Sequence, residues 1–172
     1  FFLAHAEQVL ADEVVAEGGT EERIRWEPLG VVANISAWNY PYFVGTNVFV
    51  PALLTGNTVL YKPSEFVPLT GQALGELLYE AGVPEGAFQV VQGGGAIGAE
   101  LLKAPIDAVF FTGSYATGRR IAEAVAGRLI KVQLELGGKD PAYVLDDADP
   151  AAAAESLADG AFYNTGQSCC AV

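Results

Sequence analysis

Cys169 and Cys170 are the only cysteines of the 172-residue chain, and they follow the turn-forming run Asn164-Thr165-Gly166-Gln167. A thiol presented after a Gly-Gln turn is a nucleophile on display, and a helix start at that point would favour its thiolate. The single histidine, His5, is far from both cysteines in sequence. A Ser-His-Asp triad or a histidine-based zinc site therefore has almost no material, no metal ligand set is assigned, and proton transfer falls to a carboxylate. Glu135 is the candidate: it stands in an apolar strand-like run directly before Leu136-Gly137-Gly138-Lys139. Burial there would raise its pKa toward the working range of a general base, and the two glycines would let a flat ring approach the backbone. A paired core glutamate is the plainer reading.

Four further constellations carry chemistry beside an ordinary alternative. In Trp38-Asn39-Tyr40-Pro41, the Asn39 amide could donate to a developing oxyanion, or the segment could be an aromatic loop packed on the core. In Lys62-Pro63-Ser64-Glu65, Pro63 turns the backbone out of a strand, so that Lys62 and Glu65 could hold ribose hydroxyls; a surface ion pair is the alternative. Gly93-Gly94-Gly95-Ala96-Ile97-Gly98 matches the Gly-x-Gly-x-x-Gly of a dinucleotide loop but lacks an acidic residue at the end of the next strand, and a plain glycine loop is the better reading of it. Gly113-Ser114-Tyr115-Ala116-Thr117-Gly118 has phosphate-loop spacing, yet Arg119-Arg120 stands where Lys-Ser/Thr is needed. What survives there is a strand running into a helix N-terminus suited to a pyrophosphate, or a tight turn with Ser114 as N-cap.

These residues need a scaffold that brings strand ends together. Short apolar runs at 30–35, 58–62, 88–92, 108–112 and 130–136 read as buried strands, and helical patterns fall at 43–54, 70–81, 97–103 and 118–126. Strand and helix alternating through short loops predict an α/β fold with a doubly wound, Rossmann-like parallel sheet. Residues 1–16 read as the end of a helix broken at Gly18-Gly19, with an exposed strand at 21–26. From Asp146 the texture turns Asp-rich and then Ala-rich, which suggests a boundary near Gly137 and the start of a second unit. The expected domains are thus 1–27, 28–137 and 138–172.

With 51% apolar residues the chain can bury a core, and no apolar run is long enough to cross a membrane. No signal-peptide pattern opens it, and two adjacent cysteines make a poor disulfide framework, so a reducing, cytoplasmic setting is expected. The net charge of −12, from 21 acidic and 9 basic residues, repels phosphate backbones and anionic lipid. No nucleic-acid or membrane partner is expected, and an anionic ligand must be held by local devices.

From about Glu27 to Val172 the chain resembles the aldehyde dehydrogenase superfamily, through Trp38-Asn39-Tyr40-Pro41, Lys62-Pro63-Ser64-Glu65, Phe111-Thr112-Gly113-Ser114, Glu135-Leu136-Gly137-Gly138-Lys139 and Gly166-Gln167-Ser168-Cys169, in the family's order. The resemblance implies an NAD(P)-dependent oxidation of an aldehyde to a carboxylic acid through a cysteine thiohemiacetal and thioester. Cys169 is then the nucleophile, Asn39 the oxyanion donor and Glu135 the base that activates water. Lys62 and Glu65 would hold the adenosine ribose and Trp38 and Ser114 the pyrophosphate, with Ser64, Gly113 and Gly137 completing the cofactor contacts. Glu65 would repel a 2′-phosphate, so NAD is expected over NADP. Tyr115-Ala116-Thr117 departs from the family's more usual Thr-Glu-Val. Tyr42, Phe43 and Phe162 are expected at the aldehyde pocket, and Cys170 could link to Cys169 or to the cofactor.

The resemblance also implies further elements beyond the nucleophile, an oligomerisation hairpin around 10–27, and a homodimer or homotetramer for the full-length protein. The chain as written is expected to bind NAD weakly without turning over, which leaves a catalytically incomplete nucleotide-binding fragment as the alternative function. A redox-sensing cysteine pair on an unrelated α/β scaffold is the remaining reading, and it predicts no NAD binding.

Overall fold

The computed structural model describes residues 1–16 and 19–172. Five strands form one parallel sheet: β3 (Val31–Ile35), β4 (Thr58–Lys62), β5 (Phe88–Val90), β6 (Ala108–Gly113) and β7 (Lys131–Leu136), in the order β5-β4-β3-β6-β7. From β3 the chain steps outward through β4 to β5, then returns to the other side of β3 for β6 and β7. The sheet is therefore doubly wound, as the sequence pattern predicts.

Period-two alternation sends successive side chains to opposite faces. On one face Val32, Val59, Tyr61 and Phe88 pack beneath Phe49 and Ala52 of α2 (Thr46–Leu54) and Leu74 of α3 (Pro68–Glu80). On the other, Ala33, Ile35, Val109 and Phe111 pack beneath Leu101 of α4 (Gly95–Leu101) and Ile121 and Val125 of α5 (Tyr115–Val125). Buried Asn34 donates from Nδ2 to the Gly45 carbonyl at 2.9 Å. That bond satisfies a polar group inside the sheet and ties the 36–45 loop to the strand it leaves.

Close packing also fixes the corner after β4. A methyl on Gly71 of α3 would lie 2.6 Å from Cβ of Pro63 and closer still to its Cγ. The proline ring cannot rotate away. Gly71→Ala is therefore expected to destabilise the protein by about 1–3 kcal/mol in chemical denaturation, despite the roughly 1 kcal/mol that alanine gains over glycine in a helix interior. An unchanged midpoint would show that this corner yields.

The N-terminal region differs from the sequence reading. Helix α1 spans Phe2–Val9 and stops there; residues Glu13–Ala16 form β1, paired antiparallel with β2 (Glu22–Ile24). The β-branched pair Val14-Val15 favours strand over helix continuation. Gly18, read as part of the helix break, lies outside the described residues. Other boundaries move by a few residues: α2 begins at Thr46 rather than 43, α3 at Pro68, α4 at Gly95 and α5 at Tyr115. After β7 the chain runs without regular structure to α6 (Pro150–Phe162), capped by Asp149 accepting from the Ala151 N–H at 3.0 Å. Among the described residues no helix is long and apolar enough to cross a membrane.

Candidate active site

The winding reverses between β3 and β6, and open α/β sheets take ligands beyond the carboxyl ends of the strands at such a reversal. A cleft of about 430 Å³ lies there. It is built from the loop after β3, the β6–α5 junction, the end of β7 and the segment preceding Cys169. Trp38, Asn39, Gly113, Ser114, Glu135, Gly137 and Cys169 all line it. Seven of the residues singled out from sequence thus converge. Lys62, Ser64 and Glu65 do not line this cleft; they stand beside it at the end of the adjacent strand, β4. Tyr42, Phe43 and Phe162 do not line it either, and all three are exposed.

Register explains the placement of Glu135. In the parallel β6–β7 pair it stands opposite Thr112, with Leu136 opposite Gly113. Glu135 is exposed, however, and not buried as the apolar run suggests. β7 is an edge strand that packs Val132, Leu134 and Leu136 toward α5 and turns Lys131, Gln133 and Glu135 to solvent. The Glu135 carboxylate accepts one hydrogen bond, from Gln133 Nε2 at 3.2 Å.

Ser114 caps α5: its Oγ accepts from the Thr117 N–H at 3.3 Å and lies 3.0 Å from the Thr117 hydroxyl. Ser114 and Tyr115, at the start of the helix, line the cleft, and an anion is favoured at a helix N-terminus. The N-cap and the ligand-cradle readings of this loop are therefore compatible.

Lys62 is not a surface residue. Its ammonium is buried, donates to the Pro63 carbonyl at 3.2 Å and lies 3.7 Å from Oε2 of the exposed Glu65. An ammonium has three donors, so it retains capacity for a ligand. Gly98 and Gly94 stand against the pair: a Cβ at Gly98 would lie in ordinary contact with the Lys62 stem at 3.6 Å, and one at Gly94 would stand 3.9 Å from Glu65 Oε1. A buried cation beside a carboxylate, two strands away from the Ser114-capped start of α5 in the sheet order, fits the ribose and phosphates of a dinucleotide. Trp38 is partly exposed, set edge-on to Phe66 with ring centroids 6.4 Å apart, and is not an aromatic packed into the core.

Cys169 sits in a turn and not at a helix start. Both thiols are free and exposed. Desolvation pushes the Cys169 thiol above its ordinary range, and the Cys170 thiol adds to this by hydrogen bonding and by charge. The expected thiolate-favouring helix terminus is therefore replaced by a neighbour that opposes ionisation. Ser168 Oγ and Cys170 Sγ are 3.3 Å apart.

The Asn39 amide donates to the Gln167 carbonyl at 2.8 Å, and Asn164 Nδ2 donates to the Asn39 carbonyl at 2.9 Å. Sequence reasoning missed Asn164. The signal open to it was an asparagine, tolerant of left-handed backbone, two positions before a glycine.

The aldehyde dehydrogenase family model matches residues 1–172. Betaine aldehyde dehydrogenase 2 of Rhizobium meliloti is 48% identical over 146 residues, 84% of this chain and 30% of that protein. Betaine aldehyde dehydrogenase of Agrobacterium fabrum is 42% identical over 170 residues, 98% of this chain and 34% of that one. Among solved structures, Mycobacterium tuberculosis aldehyde dehydrogenase complexed with NAD+ superposes with a TM-score of 0.92 at 41% identity, covering 98% of this chain and 35% of that one. Gamma-glutamyl-gamma-aminobutyraldehyde dehydrogenase from Burkholderia cenocepacia gives 0.92 at 40%, covering 99% and 35%. The chain spans about a third of the length of these relatives. Matched by the family model over its whole length and more than 40% identical to these relatives, this chain belongs to the aldehyde dehydrogenase family.

Proposed function

We propose that the native protein oxidises a free aldehyde to a carboxylic acid with NAD in preference to NADP. The observation that carries this reading is the convergence of Cys169, Asn39 and Glu135 with the α5 N-terminus in one cleft. The Cys169 thiolate attacks the aldehyde carbon, forming a C–S bond and an alkoxide. The Asn39 amide, which has a second N–H beyond the one given to Gln167, donates to that oxygen. When bound, the nicotinamide cofactor supplies the hydride acceptor. Loss of hydride leaves a Cys169 thioester. Glu135 takes a proton from water as the water oxygen attacks the thioester carbonyl, and release of the thiol gives the carboxylic acid. Lys62 and Glu65 hold the adenosine ribose, while Ser64, Gly113, Gly137, Trp38 and the capped N-terminus at Ser114 frame the rest of the dinucleotide.

Aldehyde-dependent NADH formation by the native protein tests this reading, and its absence across a panel of aldehydes would overturn it. Betaine aldehyde heads the panel because curated relatives carry its name and because a chain of net charge −12 attracts a cation. The same proposal includes association of copies through the β1–β2 hairpin, which exposes Val14, Val15 and Ile24; light scattering of the native protein reports it.

Glu65 gives the cofactor preference a physical basis, since a carboxylate 3.7 Å from the Lys62 ammonium accepts from ribose hydroxyls and repels a phosphate in the same place. Glu65→Gln is expected to narrow the ratio of NADP to NAD dissociation constants by about tenfold, roughly 1.4 kcal/mol, in a fluorescence titration. A ratio that does not move would remove Glu65 from cofactor selection.

A further inference from the structure

Three hydrogen bonds close a ring between segments at opposite ends of the chain. Asn164 Nδ2 donates to the Asn39 carbonyl at 2.9 Å, Asn39 Nδ2 donates to the Gln167 carbonyl at 2.8 Å, and the Gln167 N–H donates to the Asn164 carbonyl at 3.1 Å. The ring joins the loop after β3, which carries Asn39, to the turn that delivers Cys169.

Backbone conformation inside the ring is unusual. Asn164, Thr165 and Gly166 occupy the left-handed region in succession, with φ of 49°, 57° and 71°. Asparagine and glycine tolerate this region; a β-branched threonine does not do so readily. Strain of this kind persists only where the surroundings over-determine the conformation, and it concentrates where geometry matters for chemistry. The side-chain bond from Asn164 is the tie in the ring that reaches from the strained turn to the Asn39 backbone.

We propose that Asn164 is a positioning residue that holds the nucleophile and the oxyanion donor in register. It clamps the Asn39 backbone carbonyl, while its own carbonyl receives the N–H of the peptide whose neighbour, the Gln167 carbonyl, orients the Asn39 amide. One N–H of Asn39 is thereby committed to Gln167, which fixes the amide plane and leaves the other for a ligand in the cleft that both Asn39 and Cys169 line. Asn164 itself does not line that cleft, so it acts through its partners. This inference rests on the reading of Cys169 as nucleophile and Asn39 as oxyanion donor.

Two substitutions in the native protein separate the side-chain bond from the backbone conformation. Asn164→Gly keeps the left-handed backbone and removes the donor; Asn164→Asp keeps size and shape and removes the N–H. Both are expected to lower kcat for aldehyde oxidation by about 10- to 100-fold, the effect of misplacing reacting groups by about an ångström. Both should leave the NAD dissociation constant, read by fluorescence titration, within about twofold, and each should bind one NAD per site. Wild-type kcat in both variants, with Cys169→Ala inactive, overturns the role of Asn164 while leaving the nucleophile assignment standing. Loss of NAD binding in step with kcat also overturns it, because the residue would then be supporting the fold at large. Activity surviving in Cys169→Ala overturns the underlying reading and this inference with it.

Discussion

Cys169→Ala is expected to lower aldehyde-dependent NADH formation by at least about three orders of magnitude, because the covalent route has no substitute once its nucleophile is removed. NAD binding should stay within about twofold, since none of the groups proposed to hold the adenosine ribose contacts the thiol. The neighbouring cysteine supplies a graded companion result. Cys170 helps to hold the Cys169 thiol above its ordinary range, behind the leading contribution of desolvation. A raised thiol pKa means less thiolate at neutral pH, so alkylation of Cys169 by iodoacetamide should quicken as pH rises, with a midpoint above that of an ordinary cysteine. Removing one raising influence by Cys170→Ala should shift that midpoint downward and speed alkylation at neutral pH. Full turnover in Cys169→Ala, or a Cys170→Ala midpoint that moves upward, would contradict the assignment.

Glu135→Gln is expected to release about one NADH per active site in a rapid burst and then turn over at least about 100-fold more slowly than the wild type. The substitution keeps size and hydrogen-bonding reach and removes the basic oxygen, so steps up to the thioester survive while its hydrolysis stalls. The geometry supports this division of labour. Glu135 is held on the sheet by β6–β7 pairing opposite Thr112, and its side chain faces solvent with a single bond to Gln133. A carboxylate so placed can reach a water in the cleft without first breaking a buried pair. Hydroxylamine, a nucleophile that needs no general base, should restore part of the steady rate. An unchanged steady rate in the glutamine variant would sink the general-base role.

Much of the scaffold was legible because its signals are local. The run Thr58-Val59-Leu60-Tyr61-Lys62, bounded by Gly56-Asn57 and Pro63, gives β4 without adjustment. Helix starts lie earlier than the apolar periodicity shows where the first turn is small or polar: Ser114 reads equally as an N-cap and as part of a ligand loop, and α5 begins directly after it at Tyr115, not at Gly118. The exposure of Glu135 was in plain sight. Lys131-Val132-Gln133-Leu134-Glu135-Leu136 alternates polar and apolar, the pattern of a half-covered strand, whereas a strand buried on both faces is continuously apolar. The ring through Asn164 was beyond reach because its partners are 125 and 128 residues apart in sequence, and pattern reading carries no information at that range.

That separation has a kinetic side. A contact spanning so much chain carries a loop-closure cost that structure already made must offset, and β4, β5, β6 and β7 all lie between the partners in sequence. Asn39 and the turn before Cys169 are therefore expected to meet only after those strands have docked. The register between the Asn39 amide and the turn before Cys169 is accordingly expected to be a late product of folding.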